Sequence, residues 1–267
     1  MTLIYGWVSK CAELSDNIFL PSEPRVPSTL DKDAQRVFRV LLNRGVAIIP
    51  SNVGYAVIAT DPQALNRIFA AKRRQPHKKH AMIGSYALHL EVQSLPPYEE
   101  DMVRLLTVDL DLPLGVVASY HVDHPMIKMF SPTTLQQSSI EGTLAMLVNG
   151  GQLQDEISRL VTQEGIPLLG SSANLTGTGT KVTVEDIDSE IRGISDIIID
   201  HGRQKYSHPR PSSTMIDFKN RRLLRYGACY DVVQDAMSRF YGIDLPNDPG
   251  RTTLFSGHIS PTRQHWQ

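Results

Sequence analysis

A chain of 267 residues with 27 Lys and Arg against 28 Asp and Glu has a formal net charge of −1. It carries no global electrostatic footprint for nucleic acid or an anionic membrane, so any cationic contact surface has to be local. The two cysteines, Cys11 and Cys229, exclude a disulfide framework, and no Cys or His spacing suits zinc.

Composition is ordinary globular and the length allows one substantial core. No apolar run reaches membrane-spanning length, and the first residues read neither as a secretory leader nor as an Arg-rich transit peptide, which together predict a cytoplasmic location. Residues 1–29, with Pro21, Pro24 and Pro27, read as an irregular lead-in. A helix is predicted from a cap-like Ser28 and Thr29, with Ala34, Val37, Phe38, Leu41 and Leu42 at helical spacing and Gly45 as its stop. Residues 46–49 predict a buried strand ending at Pro50, and the run SNVGYAVIAT from Ser51 predicts a small polar turn and a second apolar strand. Asp61-Pro62 opens a helix with Leu65, Ile68 and Phe69 on its apolar face. It runs into the densest cationic tract of the chain: Lys72, Arg73, Arg74, His77, Lys78, Lys79 and His80 around Pro76. Such a cluster at a helix end can be a solvated face suited to the helix dipole, and in a Pro-containing loop it equally suits phosphate.

After a short strand at Ala81–Ile83, residues 98–107 predict a helix, 114–118 and 144–148 strands, and 153–161 a helix. His121, Asp123 and His124 have metal-binding side chains, but with no further cluster at a recognisable spacing no metal site is expected. Residues 166–169 predict a buried strand that stops at Gly170. Ser171, Ser172, Ala173 and Asn174 then present small hydroxyls and an amide at a crevice mouth, fit to bond phosphate or ribose oxygens or to form a plain polar turn. Residues 183–191 read as a helix capped by Thr183, Ile197–Ile199 as a buried strand, and 203–213 as a polar, basic loop. Residues 214–218 and 222–225 predict a hairpin and 232–240 a final short helix, with a loosely ordered polar tail beyond Pro246. Strands alternate with helices and at least one hairpin intervenes, so a mixed α/β sheet is expected rather than a doubly wound one.

Four segments together resemble the YrdC-like family, the threonylcarbamoyl-adenylate synthases and their relatives. The family's Pro-Thr-Asp-Thr-x-Tyr-Gly strand end corresponds to Pro50, Ser51, Asn52, Val53, Gly54, Tyr55 and Ala56. Its Lys-x-Arg loop corresponds to Lys72 and Arg74, and its Ser-Ala-Asn turn to Ser172, Ala173 and Asn174. A Gly, then Ser-Thr-Val-Val-Asp and Arg-x-Gly, are matched by Gly202, by Ser213 to Asp217, and by Arg225 and Gly227. Order and spacing agree over roughly residues 30–230. The domain organisation expected is therefore a lead-in (1–29), a YrdC-like domain (30–230) and a short helix with a polar tail (231–267).

The resemblance implies a twisted mixed α/β sheet with flanking helices around a large, positively lined cavity. There the family uses ATP, with or without magnesium, and bicarbonate to turn threonine into threonylcarbamoyl-AMP. It assigns Lys72 and Arg74 to catalysis by charge neutralisation, Ser172, Asn174, Ser213 and Arg225 to the nucleotide, and Ser51, Asn52 and Tyr55 to the amino acid. Each has a structural alternative: Tyr55 could cap the core, and Arg225 could be a strand-face charge. The chain also departs from the pattern. Asn52 puts an amide where a carboxylate could pair an ammonium group, no arginine occurs between Arg104 and Arg159 where the family has one, and its Pro-Gly-Pro-x-Thr segment is reduced to LPLG around Pro113. Two further readings follow: an enzyme of this fold acting without ATP on a smaller anionic or acyl substrate, and an RNA-binding module using the basic rim in a weak RNA contact.

Overall fold

The computed structural model describes residues 19–20, 27–74, 78–208 and 210–259. Most of the lead-in, Pro76 and His77 of the cationic tract, and residues 260–267 lie outside the described residues.

After β1 (Phe19–Leu20), helix α1 (Pro27–Leu42) begins on its proline, one residue ahead of the predicted Ser28 cap. A first-turn proline forfeits no intrahelical hydrogen bond. Strands β2 (Ala47–Ser51) and β3 (Gly54–Ala59) form a hairpin. Ser51 Oγ donates to Gly54 O (2.6 Å) and closes its turn. Gly54 has φ +136°, a conformation that L side chains rarely adopt. Helix α2 (Pro62–Ala71) is capped by Asp61, whose carboxylate accepts from the backbone N–H groups of Gln63 and Ala64.

There follow β4 (Ala81–Ile83), α3 (Tyr86–Val92), β5 (Gln93–Ser94) and α4 (Pro97–Arg104). Then come β6 (Leu114–Tyr120), α5 (Pro125–Lys128), α6 (Pro132–Ser138), β7 (Ser139–Ile140) and β8 (Thr143–Val148). Helix α7 (Gln152–Gln163), β9 (Leu169–Ser172), α8 (Ser189–Gly193) and β10 (Ile197–Ile199) precede the hairpin of β11 (Thr214–Asp217) and β12 (Arg222–Arg225) and the last helix, α9 (Tyr230–Tyr241).

The strands build one twisted mixed sheet in the order β1-β10-β2-β3-β9-β4-β8-β6-β11-β12, with β5 on β6 and β7 on β8. Both faces are covered, which is why β2 and β3 read as continuous apolar runs rather than alternating ones. Ile49 and Ile58 pack toward α1 and α7 with Val37, Leu41 and Ile157. Ile48 and Val57 face the opposite core, shared with Leu65 and Ile68 of α2 and with Val233 and Met237 of α9.

Three sequence expectations are corrected. The strand placed at 166–169 is β9, which runs three residues later and takes Ser171 and Ser172 into pairing with Val57 and Ala56. Gly170 explains the shift: a Cβ there would lie 2.6 Å from Val57 O, so only glycine lets β3 approach. The helix expected over 183–191 is mostly turns leading into α8, because Thr183 Oγ1 bonds the Asp186 side chain (2.9 Å) instead of capping a helix. Nor is the tail loose through residue 259. Tyr226 N donates to Gly257 O (2.9 Å) and Ile259 N to Leu224 O (3.0 Å), laying the chain along β12. His124 accepts from Met126 N and Asp123 pairs with Lys128, and no metal-ligating cluster occurs among the described residues. No described helix is long and apolar enough to cross a membrane.

Candidate anion-binding site

Lys72 caps the C-terminus of α2, and the turn after β9 folds over it. Thr176 bonds Lys72 O through both its N–H (3.1 Å) and its hydroxyl (2.7 Å). The side chain is 2% exposed. Its Nζ donates to Ser172 O, to Asn174 O (2.6 Å) and to Asn174 Oδ1 (3.5 Å), while Ser172 Oγ donates to the same Oδ1. Burial, and then repulsion from Arg74, lower the Lys72 pKa to about 7.

Arg74 spends its hydrogen bonds on the carbonyls of Lys78 (3.0 Å) and Lys79, and burial lowers its pKa to about 10. The Lys78 ammonium is pushed down by burial, by Arg74 and by Arg225. His80 is fully buried, with no well-formed hydrogen bond to either ring nitrogen, although the Gly170 backbone is within weak reach. Burial, then Arg74 and Lys72, hold it neutral with a pKa of about 3.

On the other wall, Arg225 Nε donates to Ser213 O (2.8 Å) and its NH2 group to Ser213 Oγ (3.0 Å). Gly227 permits this: a Cβ there would sit 2.2 Å from the Ser213 carbonyl carbon and from Thr214 N. Arg225 keeps some solvent-accessible surface, yet burial lowers its pKa to about 10. Its guanidinium is thus crowded by surrounding atoms while the residue keeps partial access to solvent. His258 has the same character: it is exposed, yet surrounding atoms together with Arg225, Lys78 and Arg74 bring it to about 3.

These groups repel one another, so they share one space. Among the described residues Arg74, Lys78 and Arg225 form no ion pair. The acid felt by Lys72 is Asp188, which lies 3.8 Å from Lys181 Nζ and accepts from Leu175 N. Positive charge gathered without an acidic partner is chemically suited to an anion.

The sequence-predicted residues fall into three groups. Lys72, Ser172 and Asn174 are in direct contact, with Arg74 beside them. Ser213 and Arg225 form a second pair, joined to the first through the charges shared with Lys78 and His258. Ser51, Asn52 and Tyr55 are differently placed. Tyr55 has no exposed surface. Its hydroxyl lies 2.7 Å from Asp200 Oδ1 and 2.9 Å from Gly202 O and receives His201 N–H (3.2 Å), so it is engaged between β3 and the segment after β10. Burial and Asp200 raise its pKa. Ser51 is occupied in its hairpin turn. Asn52 bonds Gly150 O (2.6 Å) and Tyr206 N (2.8 Å) through its backbone, leaving its side chain against Gly151 without a hydrogen bond among the described residues.

Where an arginine is absent, β8 is followed directly by Asn149, whose amide bonds Thr107 O (3.2 Å) and Asp111 Oδ1 (2.9 Å). Three participants escape sequence reasoning as site residues. Lys78 and His80 are indistinguishable from their basic neighbours, and His258 lies in a tail with no local pattern.

The matching family model, described as telomere recombination, covers residues 39–227 with the Sua5/YciO/YrdC domain. No curated protein matches the chain in sequence. Among solved structures it is similar to a hypothetical protein of Streptococcus mutans (TM-score 0.63, 21% identity, 77% of this chain and 90% of that one). It also resembles P. abyssi Sua5 complexed with L-threonine (0.58, 18%, 79% of this chain and 58% of that one). A third likeness is to full-length HypF in a phosphate- and nucleotide-bound form (0.51, 16%, 72% of this chain and 28% of that one). At these identities the likenesses speak for the fold, and the chain spans little more than half of Sua5 and about a quarter of HypF. The family match extends over most of the chain, and the protein belongs to the Sua5/YciO/YrdC family.

Proposed function

We propose that the protein is a threonylcarbamoyl-AMP synthase-like enzyme: an amino acid or amine condenses with bicarbonate with loss of water, and the resulting carbamate is adenylated by ATP. The observation that carries this reading is the set of cations Arg74, Lys78 and Arg225, which lie near enough to repel one another and form no ion pair among the described residues, with Arg74 close to the Lys72 that contacts Ser172 and Asn174. The family membership supports it, as do the threonine in the Sua5 structure and the nucleotide in HypF. In this chemistry a carbamate oxygen attacks the α-phosphorus and pyrophosphate leaves. Both steps move negative charge between oxygens, so fixed cations in a crowded concavity do most of what a catalyst can do.

Arg74, Lys78 and Arg225 hold the phosphates. Asn174 and Ser172 orient the nucleotide or carbamate, with Lys72 steering their oxygens, and Ser213 fixes Arg225. Asn52, whose amide lies beside Gly151 and has no hydrogen bond among the described residues, borders the amino-acid end. An amide in place of a carboxylate favours an uncharged or anionic group there over an ammonium. Release of pyrophosphate that requires ATP, bicarbonate and one member of an amino-acid panel, and is lost in Arg74→Ala, is the expected result; its absence across the panel overturns the reading.

A second reading, an anionic or acyl substrate without ATP, draws on Asn149, which brings no positive charge to the end of β8. Binding of sulfate without binding of ATP selects it.

A further inference from the structure

A solitary exposed phenylalanine needs no explanation. Phe255 is different, because the fold holds its backbone in place. The residue is 55% exposed. Yet its carbonyl (3.2 Å) and that of Leu254 accept from Arg210, whose side chain is 2% exposed and paired with Asp248. Leu254 N donates to Gly250 O (3.0 Å) and Gly257 N to Leu254 O (3.1 Å), so a turn lies on each side of the ring. Leu254 packs against the core, which leaves its neighbour Phe255 outside. A buried guanidinium thus fixes the position of a surface ring.

The neighbours of the ring place it between the two walls that carry the cations. Its Cε1 and Cζ lie 3.3 and 3.4 Å from where a Cβ of Gly179 would stand. Gly179 belongs to the loop that leaves Asn174 and bonds Lys72 through Thr176. On the other side, His258 is paired with Arg225 in an antiparallel bridge, between the hydrogen bonds Tyr226 N to Gly257 O and Ile259 N to Leu224 O. Gly257 presses that close, since a Cβ on it would meet Tyr226 O at 2.1 Å. The stretch from Phe255 to His258 spans at most about 11 Å. The ring and the Arg225 guanidinium are therefore within reach of the two ends of one nucleotide.

We infer that Phe255 is a stacking platform for the nucleobase of a nucleotide whose phosphates Arg74, Lys78 and Arg225 hold. This rests on the nucleotide reading of those cations. Arg251 lies over the ring, its guanidinium carbon 5.0 Å from the centroid. A flat ring beside a flat cation, both open to water, is what a base stacks on, because every base has a π-face and arginine adds cation–π attraction. The ring carries no hydrogen-bonding group, so it recognises bases as a class rather than one base among them. The platform also lies outside residues 39–227, the part of the chain that matches the family.

The test is calorimetric titration of the full chain, as wild type, Phe255→Ala and Phe255→Leu, with ATP and with inorganic tripolyphosphate. Tripolyphosphate offers the anionic groups without the base, and leucine keeps the bulk of the side chain without its flat face. Both variants are expected to weaken ATP binding about tenfold and to leave tripolyphosphate binding unchanged. In proton NMR the adenine H2 and H8 signals should move upfield on binding to the wild type, as stacking on a ring demands, and lose that shift with Phe255→Leu. Equal losses for the two ligands, ATP binding that is unchanged or tighter in the variants, or a wild-type complex without the upfield shift overturns the inference and leaves the cation site standing. Wild-type binding of tripolyphosphate without ATP does the same. Failure of the wild type to bind either ligand removes both.

Discussion

Arg210 and Asp248 are joined by two parallel hydrogen bonds, Nε to Oδ2 at 2.9 Å and NH2 to Oδ1 at 2.8 Å, with the arginine side chain only 2% exposed. Arg210 also donates to the carbonyls of Leu254 and Phe255. One buried guanidinium thus ties the 203–213 loop to the tail that places His258 beside Arg225. Removing one partner of such a pair strands the other, at a cost of about 3 kcal/mol. Arg210→Ala is expected to lower the melting temperature and to speed hydrogen exchange at Tyr226 and Ile259, whose N–H groups bond along the tail–β12 seam. Unchanged exchange at those two amides would show that the tail is held by other means.

Gly227 gives a sharper steric test. A Cβ at this position would meet backbone rather than a flexible side chain, 2.2 Å from both the Ser213 carbonyl carbon and Thr214 N. Gly227→Ala must therefore push β11 and β12 apart at Ser213, costing about 1–3 kcal/mol and moving the two contacts that aim Arg225. Nucleotide affinity should fall well beyond what the loss of stability explains. Affinity equal to wild type at a temperature where the variant is folded would separate Arg225 from the site.

Tyr55 distinguishes a brace from a ligand contact. Deleting its hydroxyl removes a donor from Asp200 and an acceptor from His201 N, although Gly202 N still donates to Asp200 (2.7 Å). Tyr55→Phe is expected to cost about 1–2 kcal/mol in denaturant unfolding and to leave amino-acid and nucleotide affinity unchanged in the folded protein. A large loss of affinity without loss of stability would return Tyr55 to the substrate side.

The fold was legible where one physical signal dominated. Strands β2, β3, β8 and β10 are apolar runs bounded by turn residues, and covering both sheet faces demands that pattern. Helix α3 was not legible, because its buried His89 breaks the apolar code. The imidazole is hydrogen-bonded by Gln93 (2.7 Å) and by Glu100 (2.9 Å), the latter from α4. Strand β9 was misplaced because a glycine and two serines do not read as strand, and the reason for the glycine lies across the sheet in β3. At the site, the contacts of Lys72 with Ser172 and Asn174 span about a hundred residues and were reached only through the resemblance. Composition could not announce His258, whose position depends on the Arg210–Asp248 pair.

The charge on Lys72 also sets how stability depends on pH. Its folded pKa of about 7 lies below the ordinary 10.5, so between these values the unfolded chain binds the extra proton and the folded chain does not. Stability then rises with pH across that window, and the penalty is fully present below pH 7. His80 acts in the same direction at lower pH, between about 3 and 6.5. Asp155, raised to about 6 by burial and Asp111, acts oppositely but is already ionised above pH 7. In a buffer free of multivalent anions the melting temperature should therefore climb from pH 7 to pH 9. Lys72→Met, which has no proton to lose, should flatten that climb. Saturating sulfate should flatten it too, by raising the folded-state pKa toward its ordinary value. A wild-type melting temperature that falls over this interval would mean that Lys72 stays charged in the folded protein.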